Sequence, residues 1–394
     1  MNILVINFGS SSIKYQLIKM PNQDVICSGM VERIGSENAK VHYKTKLNEI
    51  IKRENIPNHK SGFEKVSGMM MDEQIGVITD EKEIHAVGHR VVHGGSTFSD
   101  IIIIDQSVKD KIEQHFQLAP LHNPPNFVGI EVSETIFPSA KQIAVFDTAF
   151  HQTIPVEAYK YAIPNKYLDE HKIRAYGFHG TSHKYVSEKA IETLPNKSSK
   201  LITMHLGNGC SMTAVKDGKS VDHSLGFGTM TGLIMGTRCG DIDQSVVFHM
   251  VNTLGYSLDE VNNILQKKSG MLGLTGYSDL RDIETQAEKG NKECILALQM
   301  FAYRVKKYIG SYASVMNGLD AIVFTAGVGE NSILLRKMIC EEMDYLGIDI
   351  DLKENDIKAR EIIDISSDSS KVKVLVIPTN EELEIAIQSY QLIS

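Results

Sequence analysis

At 394 residues the chain is longer than one hydrophobic core usually serves, which points to two domains or one domain duplicated and excludes a small peptide-like module. Apolar residues at 42%, charged residues at 23%, 30 Gly and 10 Pro form a globular composition, not a disordered, collagenous or coiled-coil one. Forty-one basic against 49 acidic residues leave a formal charge of -8, so no general cationic field exists for a nucleic acid or an anionic membrane, and an anionic substrate must meet a local basic site.

The first element, from Ile3 to Leu17, is an apolar strand, a small-residue turn Gly9-Ser10-Ser11 and a second, alternating strand. Within it, Asn7-x-Gly9-Ser10-Ser11-Ser12-x-Lys14 offers backbone N–H groups, short hydroxyls and a lysine, the elements of a phosphate cradle, although a plain hairpin turn uses the same residues. His89-Arg90-Val91-Val92-His93-Gly94-Gly95 places an arginine able to clamp a carboxylate or phosphoryl group on a strand, with Val92 on its face as a pocket floor; a surface ion pair is the plainer reading. Val108, Ile112 and Phe116 share a helical face that ends at Ala119-Pro120, and Pro124-Pro125 is read as enclosing a loop that carries Leu121, His122 and Asn123. Ile143 to Phe146 is a buried strand ending at Asp147, a usual place for a functional carboxylate in an α/β sheet.

His179 sits just ahead of a helix predicted to start at Thr181 or Ser182, and His183 on that helix reads as structural. Leu201 to Val215 repeats the opening strand, glycine turn and strand about 200 residues later, with His205-Leu206-Gly207-Asn208-Gly209 at its turn. Met235 to Asp243 carries Arg238 in a loop of small and acidic residues, equally explicable as a turn held by Arg–Asp pairs. Ser257 with Glu260 forms a capping-box pattern, and Cys294 to Tyr312 shows the spacing of one long amphipathic helix. A third glycine turn, Thr325 to Ser332, is expected after the strand Ala321 to Phe324. Val372 to Ile377 is a further strand, after which Thr379-Asn380 cap a terminal helix beginning with Glu381 and Glu382. Strands alternating with helices imply an α/β fold.

The five cysteines, Cys27, Cys210, Cys239, Cys294 and Cys340, have no C-x-x-C spacing and read as free thiols of a reducing compartment. Met1 runs directly into an apolar strand without a basic leader, and no apolar run reaches membrane-spanning length, so the expected location is the cytoplasm. The sequon Asn196-Lys197-Ser198 has meaning only in a secreted chain. With no H-E-x-x-H, no Cys/His cluster and no G-x-S-x-G elbow, the remaining kit of cations, glycine turns and carboxylates is that of phosphoryl transfer.

Asn7 to Lys14, His89 to Gly95, His205 to Gly209, Met235 to Asp241 and Gly327 to Asn331, in this order, resemble the acetate kinase family. The resemblance implies two duplicated actin/Hsp70-like, ribonuclease H-like α/β domains with an ATP cleft between them, expected at 1–148 plus 379–394 and at 149–378. It also implies a homodimer that uses Mg2+ (or Mn2+ in its place) and ATP to phosphorylate acetate reversibly. Carried over residue by residue, Asn7 and Glu381 resemble the metal-associated pair and Lys14 the phosphate-contacting lysine. Arg90, Val92, Leu121 and Phe178 resemble the acyl-substrate site, and Asp147, His179 and Arg238 the catalytic group. His205, Leu206, Gly207, Asn208 and Gly209 would be a second phosphate hairpin. Asp279, Leu280, Arg281, Gly327, Val328, Gly329, Glu330 and Asn331 would bind adenosine.

The sequence departs from the family's pattern at three places. Thr229 stands for a usual proline, Phe8 for a usual small residue, and the segment before Asp279 is one residue shorter. A kinase for propionate or another short acid is the nearest alternative, because one methylene in an apolar pocket is worth only about 1–3 kcal/mol. A non-catalytic nucleotide-driven clamp on the same fold is a more distant one, opposed by the presence of Arg90, His179 and Arg238 together.

Overall fold

The computed structural model describes residues 1–195, 199–358 and 361–394; the sequon Asn196-Lys197-Ser198 lies outside them. The chain divides into two units, Met1–Phe150 with Asn380–Ser394, and His151–Thr379.

In the first unit the strands are β1 (Asn2–Phe8), β2 (Ser12–Lys19), β3 (Asp24–Glu32), β4 (Ser36–Thr45), β5 (Glu49–Ile56), β6 (Ile84–Val91), β7 (Ile102–Ile103) and β8 (Lys141–Phe146). They form one sheet in the order β5-β4-β3-β2-β1-β6-β8-β7. β1 to β5 pair antiparallel as successive hairpins, whereas β6 runs parallel to β1 and β8 parallel to β6. Period-two alternation divides β1 between two cores: Leu4, Ile6 and Phe8 face a cluster with Phe63 and Phe137, and Ile3 and Val5 a cluster with Ile143 and Ile385. Helices His59–Met70 and Asn123–Ile136 cover the first face, and the terminal helix Glu381–Ile393 covers the second.

The second unit contains β9 (Lys200–Leu206), β10 (Cys210–Lys216), β11 (Lys219–His223), β12 (Ala321–Thr325), β13 (Ile363–Asp364) and β14 (Lys373–Val376), ordered β11-β10-β9-β12-β14-β13. β10 and β11 pair antiparallel, β12 is parallel to β9, and β14 is parallel to β12. The pattern of β3-β2-β1-β6-β8 therefore recurs strand for strand as β11-β10-β9-β12-β14. Even the antiparallel edge strand recurs, β7 on β8 and β13 on β14. Two glycine-turn hairpins begin two copies of one α/β topology, which is the duplicated fold expected from the sequence echo.

Local expectations needed correction where proline and glycine were read too simply. Pro124-Pro125 do not prolong a loop; they start the helix Asn123–Ile136, because the first helical turn uses no N–H donors and proline's fixed φ suits it. Thr325 to Ser332 is not a glycine turn either, since Ala326–Asn331 is itself a helical segment fed directly by β12, with Ala326 at φ 64°. The helix carrying Val108 and Ile112 ends at Gln114, before Phe116, and the helix after His179 begins at Gly180 rather than Thr181. Val92 falls just beyond the end of β6. The capping box Ser257/Glu260 and the long helix, Lys292–Met316, stand as expected.

Phe8 is 2% exposed and points into the core, stacking on His59 and meeting Phe63 edge-on. The ring is accommodated because residue 129 is glycine: a Cβ there would lie 2.8 Å from it. Gly129→Ala is accordingly expected to destabilise the fold by about 1–3 kcal/mol in chemical denaturation. In a Phe8→Ala background most of that cost should vanish, and an undiminished cost would show that the helix rather than the ring resists the methyl group.

Candidate active site

In the first unit, parallel β1, β6 and β8 deliver Asn7, Arg90 and Asp147 to their carboxyl ends, where ligands of open α/β sheets collect. The Asp147 side chain is only 2% exposed and accepts from Arg90 Nε at 3.1 Å on both oxygens and from Nη2 at 2.6 Å on Oδ2. Burial opposes the Arg90 charge, but the fields of Asp147 and Glu381 outweigh it and raise the guanidinium pKa. Glu381, first residue of the terminal helix, is held above the ordinary carboxylate range by burial and by neighbouring Asp147 and Glu382, with Arg90 pulling the other way. Lys14 lies opposite Asn7 in the β1–β2 register and pairs with Glu382 at 2.6 Å.

The segment after β6 is tied down by two asparagines that sequence reading either put in a loop or passed over. Asn123 accepts from His93 N and donates back to His93 O, and Asn126 accepts from Val92 N and donates to Phe8 O. Their signal was an Asn-Pro-Pro-Asn run opening an otherwise apolar helix. Leu121, by contrast, is 59% exposed, outside the buried core of its unit.

A divalent ion fits this set by its chemistry. Asn7 and Glu381 offer oxygen donors only, which suits a hard cation that keeps water and phosphate oxygens in its shell. Burial, with Asp147 and Glu382 nearby, raises the Glu381 pKa although Arg90 and Lys14 both pull it down. Among the described residues no cluster of three or more His, Cys, Asp or Glu is arranged to cage a metal.

In the second unit the β9–β10 hairpin turns at Gly207-Asn208-Gly209, closed by Gly207 N donating to Gly209 O at 3.1 Å. His179 caps the helix Gly180–Thr193 in the left-handed region, φ 55°, a costly conformation for a non-glycine residue that surrounding structure must enforce. Its ring stacks on that of His205, 4.3 Å between centroids and 18° between planes. Arg238 donates from Nη1 to Thr229 O at 2.7 Å, and burial lowers its pKa. The acceptor is a main-chain carbonyl, so the Thr-for-Pro difference at this position leaves the contact possible. A Cβ on Gly209 would lie 3.2 Å from Arg238 Nη2 and 3.7 Å from His179 Nε2, so His179, Arg238 and the hairpin turn converge.

A cavity of about 720 Å³ opens beside this turn and is lined by Gly207, Asn208, Met235, Met271, Asp279, Leu280, Arg281, Glu284, Phe301, Gly327, Val328, Asn331 and Ser332. Its size and mixed apolar and polar lining suit a nucleotide. Asp279 caps the helix Leu280–Glu288 and clasps Arg281. Glu284 accepts from the Ser332 hydroxyl, and burial raises its carboxyl pKa. Of the sequence-nominated residues, Leu206 is instead buried in the sheet, and the Gly329 and Glu330 carbonyls accept from Arg336 while the Glu330 side chain accepts from Thr379 N. Met235, Met271, Phe301 and Glu284 were missed, Phe301 because its spacing reads equally as the core face of a helix.

Below the turn lies a cluster of neutral histidines. Burial lowers His151 to about 4 and drives His183 and His223 further, and in the first unit it lowers His89 to about 4 and His93 to about 3. Each has a folded-state pKa below its unfolded value, so its contribution to stability is complete above about pH 6.5 and is lost as pH falls through the folded pKa values. Stability is therefore expected to drop between about pH 6.5 and pH 4, by up to about 1.4 kcal/mol per pH unit for each histidine. Denaturation midpoints across that range check it, a flat profile being the contrary result.

Comparison with known proteins places the whole chain in one family. A profile of the Acetokinase family matches residues 2–387. An acetate kinase of Flavobacterium johnsoniae is 64% identical over 393 residues, covering all of both chains. The crystal structure of Porphyromonas gingivalis acetate kinase aligns over the full length of both with a TM-score of 0.95 at 42% identity. A propionate kinase from Francisella tularensis aligns over 98% of each chain with a TM-score of 0.92 at 43% identity. With the match running from the first hairpin into the terminal helix, and with both halves of the duplicated fold in place, the chain belongs to the acetokinase family.

Proposed function

We propose that the protein transfers the γ-phosphoryl group of ATP reversibly to acetate, giving acetyl phosphate and ADP. The full-length 64% identity to an acetate kinase carries this reading. Acetate is already ionised near neutral pH, so no general base is needed. A carboxylate oxygen forms the new O–P bond in line with the leaving β-phosphate oxygen, whose bond to the γ-phosphorus breaks. Asp147 engages Nε and Nη2 of Arg90, which leaves Nη1 to hold the acetate carboxylate; Asp147 orients this arginine and accepts no proton. Val92, Phe178 and Leu121 are assigned to the acyl group.

The main obstacle is an anion approaching a polyanion. Arg238 and His179 neutralise and hydrogen-bond the charge spread over the equatorial oxygens, and the Gly207–Gly209 turn presents its backbone to the phosphates with Lys14. The cavity lined by Asp279 to Arg281 and by Gly327, Val328 and Asn331 takes the adenosine. Mg2+, or Mn2+ in its place, held by Asn7 and Glu381, supplies further charge neutralisation when bound. The active form is assigned as a cytoplasmic homodimer.

Likeness to a propionate kinase favours longer acids as the second reading. Acyl phosphate trapped as hydroxamate, with Mg-ATP and formate, acetate, propionate or butyrate, decides between them. Acetate is expected to lead in kcat/KM by tenfold or more. Propionate or butyrate in the lead would transfer the assignment, and no acyl phosphate from any acid would overturn it.

A further inference from the structure

Ser211, on β10, is fully buried, and two imidazole nitrogens lie at hydrogen-bond distance from its hydroxyl: His179 Nδ1 at 2.9 Å and His183 Nε2 at 2.7 Å. The hydroxyl has one hydrogen. If both nitrogens carried protons, that hydrogen would lack an acceptor here, and if neither did, one nitrogen would lack a donor. Either defect in a buried site costs about 1–3 kcal/mol. One nitrogen therefore donates to Ser211 and the other accepts from it, so the two histidines have complementary protonation at this oxygen.

Two arrangements satisfy the rule. In one, His183 Nε2–H donates to Ser211 and Ser211 donates to His179 Nδ1, which places the proton of a neutral His179 on Nε2. In the other, His179 Nδ1 carries the proton and a neutral ring turns a lone pair outward from Nε2, where a phosphoryl oxygen would be repelled. Only a second proton would restore a donor there, and it would create an imidazolium stacked 4.3 Å from the His205 ring. The far nitrogen of His183 meets Thr203 Oγ1 at 2.7 Å, a hydroxyl able to donate to it. Burial independently keeps His183 neutral, so it has one proton to place.

We propose that Ser211 is a positioning residue that holds His179 in its Nε2–H tautomer, with buried His183 as the anchor of the chain; this rests on the transition-state role assigned to His179 above. The segment reads in sequence as core strand and inert helix, yet it decides which edge of the histidine offers a hydrogen.

Imidazole 15N–1H correlation spectra of the intact protein near neutral pH test it directly, the His179 signals being those lost in His179→Gln. The wild-type spectrum is expected to show the His179 proton on Nε2; a proton on Nδ1 with Nε2 bare would overturn the proposal. Ser211→Ala is expected to mix the His179 tautomers and to lower kcat about 10- to 100-fold with both KM values unchanged. Ser211→Thr, which keeps the hydroxyl, is expected to recover both. A His179 that retains its Nε2 proton in Ser211→Ala overturns the positioning role. A shifted tautomer with kcat unchanged supports that role and overturns the transition-state role of His179 instead.

Discussion

Replacing Arg238 with alanine is expected to lower kcat by on the order of 10³ while leaving the KM for acetate and for ATP within a few-fold of wild type. The guanidinium is anchored at one corner by the Thr229 carbonyl and passes beside the Gly207–Gly209 turn with His179; in the function proposed above it answers charge that appears only during transfer. Burial lowers the Arg238 pKa, which marks a cation poor in solvent and therefore strong toward an incoming anion. An interaction made mainly in the transition state lowers kcat and kcat/KM together when it is lost. Arg238→Lys retains the charge but not the planar fork and should recover only part of the rate. A variant with unchanged kcat and a raised KM would reassign Arg238 to ground-state binding.

Arg90→Ala is expected to lower kcat/KM for acetate by about 10²–10³ and to lower stability as well. The guanidinium is the counter-charge for Asp147 and acts on Glu381 too, so its removal strands one buried carboxylate and strengthens the repulsion between two. Breaking a buried pair from one side costs about 3–5 kcal/mol. Arg90→Ala with Asp147→Asn should recover much of the lost stability but none of the acetate specificity. Equal denaturation midpoints for the single and double variants would show that the stranded Asp147 costs the fold nothing, and an unchanged acetate KM would remove Arg90 from substrate binding.

The duplicated architecture was legible because its signals are local and repeated: alternation in Ile3 to Leu17 and Leu201 to Val215, each broken by glycine at the turn. Arg90 and Asp147 were legible because they end apolar strands. Less legible were features in which a residue type has two uses. Proline stops a helix in its interior and starts one at its first turn, and only the tertiary setting of Asn123 and Asn126 shows which rule governs Pro124-Pro125. Gly327 and Gly329 read as a turn, but the segment continues β12 as helix because Arg336 draws in the Gly329 and Glu330 carbonyls. The cavity lining was hardest, since Met235, Met271 and Phe301 come from segments far apart in sequence and each alone looks like core.

The terminal helix bears on how the protein is made. Ile385 and Ala386 complete the cluster that contains Ile3, Val5 and Ile143, and the helix approaches β6 so closely that a Cβ on Gly88 would lie 2.7 Å from Ile385. Synthesis runs from the amino end, so β1 to β8 emerge first but wait for residues 380–394 while all of His151–Thr379 is translated. The unit begun first is thus finished last, with one apolar sheet face uncovered on the ribosome. A nascent chain stalled short of Asn380 should bind chaperones through that face, and release should coincide with the arrival of the helix that brings Glu381 to the site.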